Sequence, residues 1–120
     1  MSRLSILIVE DESIIAMMVE DMLISLGHKV TAVAGSLQKG LQLIENETFD
    51  IALLDMNLNG TSSLPIASRL RVKKIPFVFT TGYGAGIEEE WRDQPYLQKP
   101  FTEEDLDRAL QQLAPLSGHA

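Results

Sequence analysis

The sequence predicts an α/β fold built on a parallel sheet, and three observations carry that expectation. Strand-like apolar runs alternate with segments of helical periodicity, the pattern of βαβ units. The first run, residues 4–9, is apolar without polar alternation, as in a strand covered on both faces. Four runs also end in polar residues of different kinds. The first meets Glu10 and Asp11, the run over 51–54 ends at Asp55, the run over 77–79 leads to Thr80, Thr81 and Gly82, and the run over 95–98 leads to Lys99, Pro100 and Phe101. In neighbouring parallel strands these groups gather at one carboxyl edge, where open α/β sheets bind ligands.

The elements follow in order. After the first strand, residues 13–26 read as a helix. Ile15, Met18, Met22 and Leu26 recur at helical spacing, which puts Met18 and Met22 on the buried face and leaves Met17 exposed; Gly27 is a natural stop. Residues 29–34 form the second strand. Ser36 caps a second helix reaching residue 46, with Leu37, Leu41 and Ile44 on one face. Residues 51–54 are the third strand, and a polar loop over 56–61 follows Asp55. The third helix covers residues 63–72, with Pro65 in its first turn, where the missing N–H costs little. Pro76 precedes the fourth strand, residues 77–80. Gly82, Gly84 and Gly86 then leave room only for a short or disordered fourth helix, and Trp91 fits either an exposed anchor or the core. Residues 96–98 are the fifth strand. Thr102 and Asp105 form a variant capping box for the last helix, whose buried face is Leu106, Ala109, Leu110 and Leu113, and which Pro115 ends.

Composition bounds the function. The 120 residues are expected to form a single domain, residues 1–120, with 45% apolar residues, enough for a core. No cysteine is present, which removes disulfide and thiolate chemistry. No stretch approaches the roughly 20 apolar residues of a membrane span. The first apolar run meets Glu10, Asp11 and Glu12 too soon for a signal peptide, so a cytoplasmic location is expected. Seventeen acids against 10 Lys and Arg give a net charge of -7, which should repel nucleic acid. The cluster Arg69, Arg71, Lys73 and Lys74 reads as a solvated helix C-terminus rather than a docking patch.

Glu10, Asp11 and Asp55, once brought together, form a cluster that is unfavourable unless a cation sits in it or protons are taken up, because like charges 4 Å apart repel by about 4 kcal/mol at an effective dielectric of 20. A hard, oxygen-seeking ion such as Mg²⁺ suits it, and the backbone carbonyl of Asn57 offers one further oxygen. Asp55 could then act as a nucleophile towards phosphorus. Lys99 would hold a phosphoryl oxygen as a point charge, and Thr81 would donate its hydroxyl to another. Singly, each part has a plainer reading: an acid pair suits a helix N-terminus, and a lone Asp or a Thr-Gly suits a turn. The joint order of acid pair, acid, hydroxyl and lysine-proline is far more specific.

That order, carried by Ile8-Val9-Glu10-Asp11-Glu12, Leu53-Leu54-Asp55 with Gly60, Thr81-Gly82 and Lys99-Pro100-Phe101, resembles the receiver domain of two-component response regulators over essentially the whole chain. The resemblance implies a doubly wound five-stranded parallel sheet of order 2-1-3-4-5 with helices on both faces. It implies Mg²⁺ on Glu10 and Asp11, phosphoryl transfer from a histidine kinase to Asp55, and contacts from Thr81 and Lys99. It also implies a cis peptide before Pro100 and a switch in which Thr81 moves and an aromatic at Tyr96 turns inward. The stretch from Pro76 to Gly84 is similar to the signature of the "FAT GUY" single-domain regulators, with Thr80 in place of the usual Ala; these often work with HWE-type sensor kinases. Asn57 and Tyr83 are placed where they could set phosphoryl lifetime. The incomplete fourth helix predicts a mainly monomeric protein. The expected partners are a sensor histidine kinase or a histidine phosphotransfer protein, not nucleic acid or membrane. The chain is expected to catalyse only its own phosphorylation and dephosphorylation. Two rivals remain. A haloacid-dehalogenase-like phosphatase needs an acid where Asn57 stands, and a pseudo-receiver would act without phosphorylation.

Overall fold

The structure, a computed structural model, describes residues 3–82 and 91–113. Along the chain run β1 (Ser5–Val9), α1 (Ser13–Ser25), β2 (Lys29–Ala34), α2 (Leu37–Asn46), β3 (Ile51–Asp55), β4 (Asn57–Leu58), β5 (Thr61–Ser62), α3 (Leu64–Val72), β6 (Phe77–Thr81), β7 (Tyr96–Gln98) and α4 (Glu103–Leu113). The main sheet has five strands in the order β2-β1-β3-β6-β7, all parallel. Numbered without the small β4–β5 hairpin, that is the order 2-1-3-4-5. The expected fourth helix, Tyr83 and Pro115 lie outside the described residues.

Alternation along the strands divides the core into two layers, as the period-two geometry of a strand requires. Leu7, Val9, Ala52, Leu54, Phe77 and Phe79 point to one face and pack with Ile44 of α2 and Ile66, Ala67 and Leu70 of α3. Leu4, Ile6, Ile8, Ile51, Leu53 and Val78 point to the other and pack with Ala16, Val19 and Leu23 of α1 and with Leu106, Ala109, Leu110 and Leu113 of α4. Both faces are covered, so these strands carry no polar alternation.

Local signals decide most ends. The Ser36 hydroxyl accepts from the Lys39 N–H and starts α2. At α4 the Thr102 N–H donates to Asp105 and the Asp105 N–H donates back to the Thr102 hydroxyl, each at 3.0 Å, a reciprocal capping box. Two expectations need correction, and one left open is decided. The buried face of α1 centres on Ala16, Val19 and Leu23, one position away from the face predicted; Ile15, Met22 and Leu26 pack half-buried beside it, and Met18 is 54% exposed. The loop after Asp55 is a hairpin, turned by Asn59 and Gly60, both with positive φ. Asn-Gly at such a turn is the strongest short-range hairpin signal. Trp91 belongs to the core: it is 2% exposed, makes edge contacts with Phe77 and Phe79, and carries Arg71 3.8 Å above its ring. The basic cluster is likewise more than a solvated end. Arg69 binds Glu45 at 2.6 Å and Lys73 donates to the Ile44 carbonyl at 3.0 Å, tying α3 to α2.

Candidate functional site

Register brings the strand ends together. Val9 pairs with Leu54, Asp55 with Thr80, and Thr81 with Gln98, so residues following β1, β3, β6 and β7 share one edge. The backbone secures the loops there: Glu10 N donates to Ala34 at 2.9 Å, Met56 N to Thr80 at 3.0 Å, and Lys99 N to Thr81 at 2.8 Å. One carboxylate oxygen from each of Glu10, Asp11 and Asp55 lies within 4.8 Å of the others. Glu10 and Asp55 are buried; Asp11 is half-buried.

Lys99 spans two of the acids. Its Nζ donates to Glu10 Oε1 at 2.6 Å and to Asp55 Oδ2 at 2.9 Å. The second Glu10 oxygen accepts from the Glu12 N–H, and Asp55 Oδ1 accepts from the Asn57 N–H, each at 3.1 Å. Burial is the largest influence on Glu10. With the Asp55 charge it outweighs Lys99 and the Glu12 N–H, and the pKa is pushed up to about 7. For Lys99, burial opposes the ammonium, but its hydrogen bonds to Glu10 and Asp55 and both their charges prevail and raise its pKa. Three carboxylates and one ammonium leave an excess of negative charge, met by a proton or by a further cation.

The donor set is wholly oxygen, which fits Mg²⁺ and does not suit a soft metal. Glu10, Asp11 and Asp55 would hold it, with the carbonyl of the exposed Asn57 on β4 as a further candidate. Thr81 is 2% exposed at the end of β6. The Lys99–Pro100 peptide is cis. Tyr96 is not among the contacts of the acids; it is 55% exposed on β7, beside a groove shared with Phe101, Asp105 and Arg108. Two features escaped the sequence. The Asn59-Gly60 dipeptide announced the hairpin beside Asp55. On α1, Ile14 and Met18 join the expected Met17 in being more than half exposed, and Met18 also lines an apolar groove of about 300 Å³ with Ile15, Met22, Pro100 and Phe101.

A five-stranded parallel sheet with an acid trio and a lysine at its carboxyl edge defines a receiver-type α/β domain. Residues 6–111 match the family model for the response regulator receiver domain, and the chain belongs to that family. It is 32% identical over 111 residues to the transcriptional regulatory protein PdtaR of Mycobacterium tuberculosis, a match covering 88% of this chain and 54% of PdtaR. The chain thus spans about half the length of that relative. Among solved structures it is similar to SdrG from Sphingomonas melonis Fr1, with TM-score 0.86, 42% identity, and coverage of 95% of this chain and 99% of SdrG. The receiver domain of PhyR from Erythrobacter litoralis matches with TM-score 0.84 and 25% identity, covering 99% of this chain and 95% of that one.

Proposed function

We propose that this chain is the phosphoacceptor of a two-component or phosphorelay system, taking a phosphoryl group onto Asp55 in the presence of Mg²⁺ and signalling by protein contact. The observation that carries this is the convergence of Glu10, Asp11 and Asp55 with Lys99 bridging two of them. In the reaction a carboxylate oxygen of Asp55 attacks phosphorus. The P–N bond to the donor imidazole breaks, its electron pair stays on the imidazole, and the product is an acyl phosphate. Bound Mg²⁺ supplies charge neutralisation at the phosphoryl oxygens. Lys99, already at Asp55, holds one oxygen, and the Thr81 hydroxyl moves to another. Tyr96 then leaves its exposed position and turns inward, while Asn57 and Tyr83 control access of water to the acyl phosphate. The chain turns over no external substrate.

The donor is a sensor histidine kinase, of the HWE type on the "FAT GUY" resemblance, or a histidine phosphotransfer protein, in the cytoplasm. Such a partner would cover the exposed Ile14, Met17 and Met18 on α1 beside Pro100 and Phe101. The net charge of -7 supports a protein partner rather than nucleic acid, and the chain works mainly as a monomer. Asn57, in place of an acid, disfavours a phosphatase, and the intact acid set disfavours a pseudo-receiver. The test is phosphotransfer from the host's autophosphorylated histidine kinases. Label should pass rapidly from at least one kinase to the wild type and from none to Asp55→Asn. Refusal by every kinase, together with failure of acetyl phosphate to modify the protein, would leave the phosphorylation-independent reading.

A further inference from the structure

Two buried polar atoms far from the acid edge have no partner among the described residues, and their chemistries are complementary. His28 lies between α1 and β2 and is 3% exposed. Its Nδ1 accepts from the Leu4 backbone N–H at 3.1 Å, which assigns the proton of the neutral ring to Nε2. That Nε2–H is buried and meets no acceptor among the described residues. On α4, Asp107 Oδ2 accepts from Gln111 at 3.1 Å, whereas Oδ1 is buried and meets no donor among the described residues. Leu4 and Leu23, whose backbones hydrogen-bond His28, pack in one cluster with Leu106 and Leu110, which flank Asp107 on α4. Close by, the Ser25 hydroxyl donates to Glu103 at 3.1 Å, a second polar tie between the end of α1 and α4.

A buried donor and a buried acceptor left apart each carry a desolvation penalty, and an internal water is the usual means of removing both. We propose that one internal water joins His28 Nε2–H to Asp107 Oδ1 and pins α4 to the corner where α1 turns into β2. The water accepts from the imidazole N–H and donates to the carboxylate, so neither side chain changes protonation. The other flank of α4 carries Asp105 and Arg108, which line the groove beside Tyr96. The pin therefore fixes one wall of the surface that Tyr96 borders, from the opposite side of the helix.

The test is nuclear magnetic resonance on the full ¹⁵N-labelled chain. It should find a slowly exchanging His28 Nε2–H with cross-relaxation to a long-lived water. Asp107→Ala should abolish that cross-peak and speed amide exchange in α4 about five- to tenfold. Asp107→Asn keeps an oxygen acceptor and should retain the water while removing the charge, so the His28 pKa falls further. A His28 ring proton exchanging at solvent rates would overturn the proposal. So would a direct His28–Asp107 bond with no water signal, or a water signal that Asp107→Ala leaves unchanged.

Discussion

Lys99 is the residue on which the charge balance of the site turns. With Nζ within 2.9 Å of two carboxylates, it offsets a repulsion that otherwise reaches several kcal/mol. Lys99→Ala should therefore bind Mg²⁺ more tightly, by several-fold in a calorimetric titration, while accepting phosphoryl more slowly. Weaker Mg²⁺ binding would show that the lysine organises the acids rather than competing with the metal. His28 supplies a pH dependence. Burial lowers its pKa against the opposing Asp107 charge. The unfolded chain therefore takes up the proton first, near pH 6.5, and the stability that neutral His28 contributes is lost as the pH falls through that value towards the lower folded one. In urea unfolding the stability difference between wild type and His28→Gln should be largest above pH 6.5 and shrink on acidification; a difference constant between about pH 5 and pH 8 would contradict this. At this scale the sequence revealed which residues gather at the carboxyl edge, because each stands at the end of an apolar run. It did not reveal that Lys99 bridges Glu10 and Asp55, because that contact depends on register across three strands.

At the scale of elements, the ends were more legible than the faces. Ser36, Thr102 and Asp105 state their caps in the sequence, and α2 and α4 begin where those caps place them. Helix α1 was misjudged because Ile14, Ile15, Ala16, Met17, Met18 and Val19 are all apolar, so periodicity alone does not choose a face. Packing chose the small and branched residues Ala16 and Val19, whose side chains admit close approach to the sheet, and left Met17 and Met18 outside. Trp91 was equally open on the sequence; Phe77, Phe79 and Arg71 placed it inside. Two predictions belong here. Thr102→Ala removes the hydroxyl half of the capping box and should lower stability by about 1 kcal/mol, read as a drop in melting temperature with phosphoryl uptake unchanged. Lys74 follows α3 with φ of 60°, a conformation that strains a residue with a Cβ. Lys74→Gly should stabilise by about 0.5 kcal/mol after allowing for the added freedom of glycine in the unfolded chain. A loss of stability would mean that the lysine side chain contributes more than its backbone costs.

The whole molecule joins a rigid frame to an unfavourable edge. Two apolar layers hold five strands in one register, and that register forces Glu10, Asp11 and Asp55 to within 4.8 Å. Strand order was legible only through the resemblance to receivers, since no local signal tells which parallel strand lies beside which. Because the acids are crowded only in the folded state, Mg²⁺ should bind the folded chain and raise its unfolding free energy by about 2.7 kcal/mol at a hundred times its dissociation constant. Calorimetry should show that rise for the wild type and a much smaller one for Asp11→Asn; equal shifts would point to binding elsewhere. The measurement that bears most directly on the account is the intact mass of the protein after incubation with acetyl phosphate. With Mg²⁺ the wild type should gain one phosphoryl group, lose it to hydroxylamine as an acyl phosphate does, and gain none when the metal is chelated or when Asp55 is Asn. Uptake by Asp55→Asn equal to that of the wild type, or uptake indifferent to Mg²⁺, would contradict it.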